Sequence, residues 1–167
     1  MKTLFAVIAL AFLLGTLPAP TAQEFNVAVC MATSFTENHL VISSDEKKLS
    51  FVSDLGDDGA VVERKDPIIC DITDSKTENG ITGYVAACSL DKDTTVNILA
   101  LTDGKKFVAQ VKIKGELVSA IYGVAGPESK LGNYVLGSEK ADMDQCITLA
   151  QMDVKDIPAA LVDYLQK

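Results

Sequence analysis

The chain has no tryptophan, a single histidine (His39) and no C-x-x-C pair among its four cysteines. One imidazole and widely spaced thiols leave no ligand set for a zinc ribbon and no thioredoxin-type redox pair. The missing tryptophan removes a frequent platform for sugars. There is no Walker loop, dinucleotide fingerprint, H-E-x-x-H or G-x-S-x-G elbow, so the common phosphate, nicotinamide, zinc-protease and serine-hydrolase signatures are absent. No N-x-S/T sequon occurs, which excludes standard N-glycosylation. Positive charge is scarce too, with 15 Lys and Arg against 23 Asp and Glu. That balance argues against nucleic acid and against anionic membrane surfaces, which want clustered cations. No repeat, low-complexity tract or Pro/Gly-rich linker divides the chain.

What is present begins with an export pattern. Lys2 precedes an unbroken apolar run of eleven, Leu4 to Leu14, and Gly15 and Pro18 then break the helix. Thr21-Ala22 ends a small-residue stretch suited to signal peptidase, although Pro20 fits the A-x-A rule poorly. The run is short of the roughly 20 residues that span a bilayer. Residues 1–22 therefore read as a signal peptide, and residues 23–167 as one exported domain with no stable membrane anchor after cleavage. Without Lys2 the balance is 14 basic against 23 acidic groups, a net charge of −9. Its expected compartment is the periplasm or the extracellular space.

In such a compartment Cys30, Cys70, Cys88 and Cys146 are expected to form two disulfides. Folding about a three-residue loop at Glu78-Asn79-Gly80 brings Cys70 opposite Cys88, with strands at Pro67-Ile68-Ile69 and Tyr84-Val85-Ala86. The polar stretch Thr73 to Thr77 leaves that register loose. Cys30–Cys146 follows by elimination. On the chain-entropy model these closures contribute about 3 to about 5 kcal/mol, the longer loop more.

Strand patterns continue to about Val124. Phe25 to Met31 alternates, and Leu40-Val41-Ile42 and Leu49-Ser50-Phe51-Val52 flank the turn Ser44-Asp45-Glu46. Asp57-Asp58-Gly59 then turns the chain into Ala60-Val61-Val62. The clearest hairpin runs from Thr94 to Lys114. Its Asp103-Gly104 reads as a two-residue type I′ turn that sets Ala100 opposite Phe107, Ile98 opposite Ala109 and Val96 opposite Val111. All six then share one apolar, buried face, while Thr95, Asn97, Leu101, Lys106, Gln110 and Lys112 share the other, which is mostly polar and reads as facing solvent. Val118 to Val124 fits strand or helix. Beyond Gly126-Pro127 the period changes: Met143, Cys146, Ile147 and Ala150 suggest a helix with Ser138 as its cap. Ile157, Leu161, Tyr164 and Leu165 suggest a second, begun at Asp156-Pro158. The predicted fold is α+β and β-rich. An antiparallel sheet, flat or curled into a half-barrel, carries one or two C-terminal helices and is braced by two disulfides.

Catalytic chemistry is thinly represented. His39, near Ser34, Ser43, Ser44 and Asp45, reads as a surface or strand-edge histidine. Asp54, Asp57, Asp58 and Gly59 fail the EF-hand pattern, because Gly56 and Lys65 occupy its third and twelfth positions. Asp91, Asp93, Asp142 and Asp144 read as solvated turn or helix-start residues. No catalytic residue, metal or cofactor is assigned. Glycines at 115, 123, 126, 132 and 137 read as turns and bulges, and the stretch Gly126 to Gly137, holding Gly132 and Tyr134, as the candidate binding loop. The expected function is a non-catalytic protein-interaction or inhibitor-type domain with an unknown protein partner. A small apolar-ligand carrier, its sheet curled into a barrel or half-barrel around an apolar pocket, is the first alternative and a small secreted hydrolase the second.

Overall fold

Apolar alternation recurs in eight segments, each antiparallel to the next: β1 (Gln23–Cys30), β2 (Phe35–Ile42), β3 (Lys48–Leu55), β4 (Val61–Glu78), β5 (Ile81–Ser89), β6 (Thr95–Thr102), β7 (Lys106–Ile113) and β8 (Glu116–Ala125). In the computed structural model, which describes residues 19–31, 33–133, 140–152, 159 and 161–163, β8 returns to pair with β1. The sheet is thus a closed up-and-down barrel rather than an open or curled sheet. Closure follows from the outer strands: Phe25 to Cys30 lie opposite Ala125 to Ala120, so neither strand keeps a bare edge. Helix is the minor component. The expected signal peptide falls almost wholly on residues 1–18, outside the described residues.

The sheet turns an apolar face inward. On β6, Val96, Ile98 and Ala100 are buried while Thr95 and Asn97 are exposed. Val118 to Val124, ambiguous in sequence, belongs to β8.

Turn chemistry sets the registers. Asn79-Gly80 is a two-residue turn with both φ positive, 52° and 79°, and Glu78 faces Ile81 across it. This replaces the three-residue loop expected from sequence. A register shift between Ile72 and Asp74 then restores the difference, so Cys70 still faces Cys88. The β6–β7 hairpin departs in the other direction. Asp103 Oδ1 accepts hydrogen bonds from the backbone N–H groups of Lys105 and Lys106, at 2.8 and 2.7 Å, which widens the turn. Thr102 consequently faces Phe107, and Ala100 faces Ala109 rather than Phe107. The slip amounts to two positions, so every side chain keeps its face.

A second apolar layer lies outside the barrel. Ala28, Val108, Ala120 and Tyr122 point outward from β1, β7 and β8, and they pack under α1 (Lys140–Gln151) against Cys146 and Leu149. This corrects the solvent-facing reading of the hairpin's outer side: Val108 is fully buried and Gln110 nearly so. Cys30, at the end of β1, is bonded to Cys146 of α1 with Cα atoms 5.9 Å apart, and Cys70 is bonded to Cys88. Residues 159 and 161–163 are helical, and Leu161 joins the same layer. Ser138, Asp156, Ile157, Pro158, Tyr164 and Leu165 lie outside the described residues.

Candidate functional site: the hollow half of the barrel

The barrel interior divides along its axis. At the end bearing the Ser43–Lys47, Asn79-Gly80 and Asp103–Lys105 connections, large side chains meet. Phe25, Leu40, Ile42, Leu49, Tyr84 and Phe107 are all fully buried there, and the Phe25 and Phe107 rings lie 5.3 Å apart. Gly123 lets β1 and β8 close tightly around this plug: a Cβ at that position would overlap Val27 Cγ1 and sit 2.8 Å from the Asn26 carbonyl oxygen. The glycine thus serves a close approach, not a turn or bulge. The Tyr84 hydroxyl has no hydrogen-bond partner among the described residues. Burial, with the Glu46 carboxylate second, pushes its pKa up to about 12.

Toward the opposite end the inward positions carry aliphatic and small polar side chains instead. Val29, Thr36, Asn38, Val96, Ile98, Val111, Ile113, Ser119 and Ile121 surround a cavity of about 240 Å³, with Phe51 and Ile68 also on its wall. The three inward aromatic rings of the other half are not among its lining residues. The cavity opens at the Leu90 end, where Leu90 lines it while remaining about half exposed. Cys88 contributes to the wall, so the Cys70–Cys88 bond pins β4 to β5 at the cavity itself.

One charged side chain reaches this wall. Arg64 is the chain's only arginine, and it is delivered by an irregularity in β4. Between Ser53↔Glu63 and Phe51↔Ile68 the pairing shifts, and the displaced segment Arg64–Pro67 leaves the regular ladder. Pro67 suits that position because it has no N–H to offer a ladder. Arg64 Nε and Nη2 both donate to Asp54 Oδ1, at 3.0 and 2.7 Å, and Nη2 approaches Asn38 Oδ1 at 3.4 Å. These bonds hold the guanidinium beside the cavity with Nη1 engaged by none of them.

The residues singled out in sequence are distributed elsewhere. Gly126 and Gly132 belong to a strap, residues 126–132, that leaves β8 and packs on the outer wall of β1 to β3. Gly126 N donates to the Glu24 carbonyl at 3.0 Å, Asn26 Nδ2 donates to the Pro127 carbonyl at 3.0 Å, and Ser53 Oγ donates to Glu128. Tyr134 and Gly137 lie outside the described residues. His39 is not at the surface: it is 2% exposed, facing outward from β2 beneath this strap. Asn26 spends its amide N–H on Pro127, so its oxygen accepts from His39 Nδ1 at 2.9 Å, and the imidazole serves to fasten the strap. Glu24 lies 3.4 Å from Nε2. The acidic pairs serve turns: Asp91 Oδ1 accepts from Asp93 N and Thr94 N, and Asp58 Oδ1 from Ala60 N. The bond from Asp93 N holds the Asp91 carboxyl below its usual pKa. Among the described residues no group of three or more His, Cys, Asp or Glu is placed to hold a metal ion.

Sequence reasoning missed Arg64, Asn38, Thr36 and Ser119. The available signal was that Pro67 follows the sole arginine by three residues in a strand-like stretch, where a bulge is expected. Comparison with known proteins adds nothing to this geometry: no family model, no curated protein and no solved structure matches the chain.

Proposed function

We propose that this protein is an extracytoplasmic, non-catalytic carrier that reversibly binds one small, mainly apolar molecule in the hollow half of its barrel. The carrying observation is the open cavity of about 240 Å³ between Phe51, Val96, Val111 and Ile121. An eight-stranded barrel has room for a packed core or for one small ligand, and here large side chains fill only one half. The volume exceeds the roughly 150 Å³ that admits a benzene ring and falls below the roughly 300 Å³ where pockets for drug-sized ligands begin. That range suits a molecule of one or two rings or a short aliphatic chain. Two disulfides suit an oxidising compartment.

The protein-interaction reading has less support, because the exposed apolar side chains are spread over several elements, among them Met31 and Phe35 around the β1–β2 turn, Val61, Val62 and Ile69 on β4, Val85 on β5 and Val118 on β8. The hydrolase reading has least, since His39 is closed in by Asn26 under the strap. Isothermal titration with naphthalene tests the carrier reading. Saturable 1:1 binding is expected, and Val111→Phe, which places a ring in the cavity, should abolish it. No saturable binding to the folded protein, or unchanged binding by Val111→Phe, would refute the reading.

A further inference from the structure

The cavity's single charge bears on what it accepts. We infer that its ligand carries a carboxylate, bound by Arg64 at the cavity mouth while the apolar body fills the space between Phe51 and Ile121; this rests on the carrier reading above. The chain has more acidic than basic groups and only one arginine, yet that arginine is the one charged residue lining the cavity. Long-range repulsion from the acidic surface slows an anion's approach but leaves the short-range pairing inside the mouth intact.

Arg64 is also preorganised. Its Nε and Nη2 converge on one oxygen of Asp54, and Asn38 supports the same edge. Asp54 therefore orients the guanidinium, and the Nη1 edge keeps two N–H groups that those bonds do not use. A planar guanidinium is suited to a carboxylate in a way that a flexible lysine is not. Asn38 and Thr36, both on the wall, add polar groups near the head, and Asn38 Nδ2 is already directed to Thr36 Oγ1 at 3.3 Å. The rest of the wall is mainly aliphatic, so only one end of the ligand meets polar protein.

The test uses three ligands with one body: 4-propylbenzoate, 4-propylbenzyl alcohol and 4-propylbenzylamine. Each is titrated into the mature disulfide-bonded protein and into Arg64→Gln, whose fold is verified by its amide spectrum. The acid should bind about tenfold tighter than the alcohol, and the amine weaker than both. In Arg64→Gln the acid's advantage should fall to within about twofold, while the alcohol's affinity stays unchanged. Arg64→Lys, which keeps the charge without the planar fork, should recover only part of the advantage. If the alcohol binds as tightly as the acid, or Arg64→Gln keeps the preference, the carboxylate assignment is wrong and the carrier reading survives. If the folded wild-type protein binds none of the three, the carrier reading falls as well.

Discussion

The two halves of one barrel interior are built from the same strands and do opposite things. Where β1, β5 and β7 turn Phe25, Tyr84 and Phe107 inward, side chains fill the space. A few residues along the same strands, Val29, Cys88 and Val111 face inward and a cavity is left. Strand order is common to both, so the difference lies in side-chain volume and in the irregularity that displaces Arg64–Pro67 beside the hollow end. A closed sheet of fixed strand number has an approximately fixed bore, and smaller side chains on β1, β5 and β7 leave part of it open.

Several substitutions sharpen or break this contrast. Phe107→Ala should have the largest effect, about 3–5 kcal/mol by urea unfolding, because it empties a site with no room to collapse. A loss under about 1 kcal/mol would mean that the aromatic half is not a packed plug. Gly123→Ala should cost about 1–3 kcal/mol, since the new methyl meets Val27 and the Asn26 carbonyl where β1 and β8 close.

Tyr84 gives the filled half a pH signature. Its pKa near 12 in the folded protein exceeds the value of 10.0 in the unfolded chain, so between pH 10 and 12 the unfolded state binds fewer protons. Stability contributed by keeping this phenol neutral is intact below pH 10 and declines through that window, by about 2 kcal/mol at most. Tyr84→Phe should flatten this part of the pH profile relative to wild type. Identical alkaline profiles for the two proteins would contradict the assignment. Val111→Phe should have the smallest effect on stability, under about 1 kcal/mol, as its ring enters existing space; a loss comparable with Phe107→Ala would show the cavity to be closed to side chains.

The inside-outside pattern of the strands was legible in sequence through period and parity. Alternation identified the strands, and the inward set Val96, Ile98, Ala100, Phe107 and Ala109 survived a two-position slip in register because side-chain direction repeats every second residue. Cys70 met Cys88 for a related reason, a tighter turn being offset by a register shift. Closure was not legible. It depends on β1 meeting β8 across nearly 100 residues, and no local pattern reports that contact. The cavity was hidden as well, because one valine in a strand looks like another until the opposite wall is known. His39 misled for the same reason: its burial comes from the strap of residues 126–132, remote in sequence.

Methyl NMR of the disulfide-bonded protein titrated with naphthalene tests the contrast most directly. Saturable shifts should be confined to Val96, Val111, Ile113 and Ile121, leaving Leu40 and Leu49 in the filled half unmoved. Shifts spread equally over both sets, or no saturable shift in either, would contradict a barrel that is solid at one end and receptive at the other.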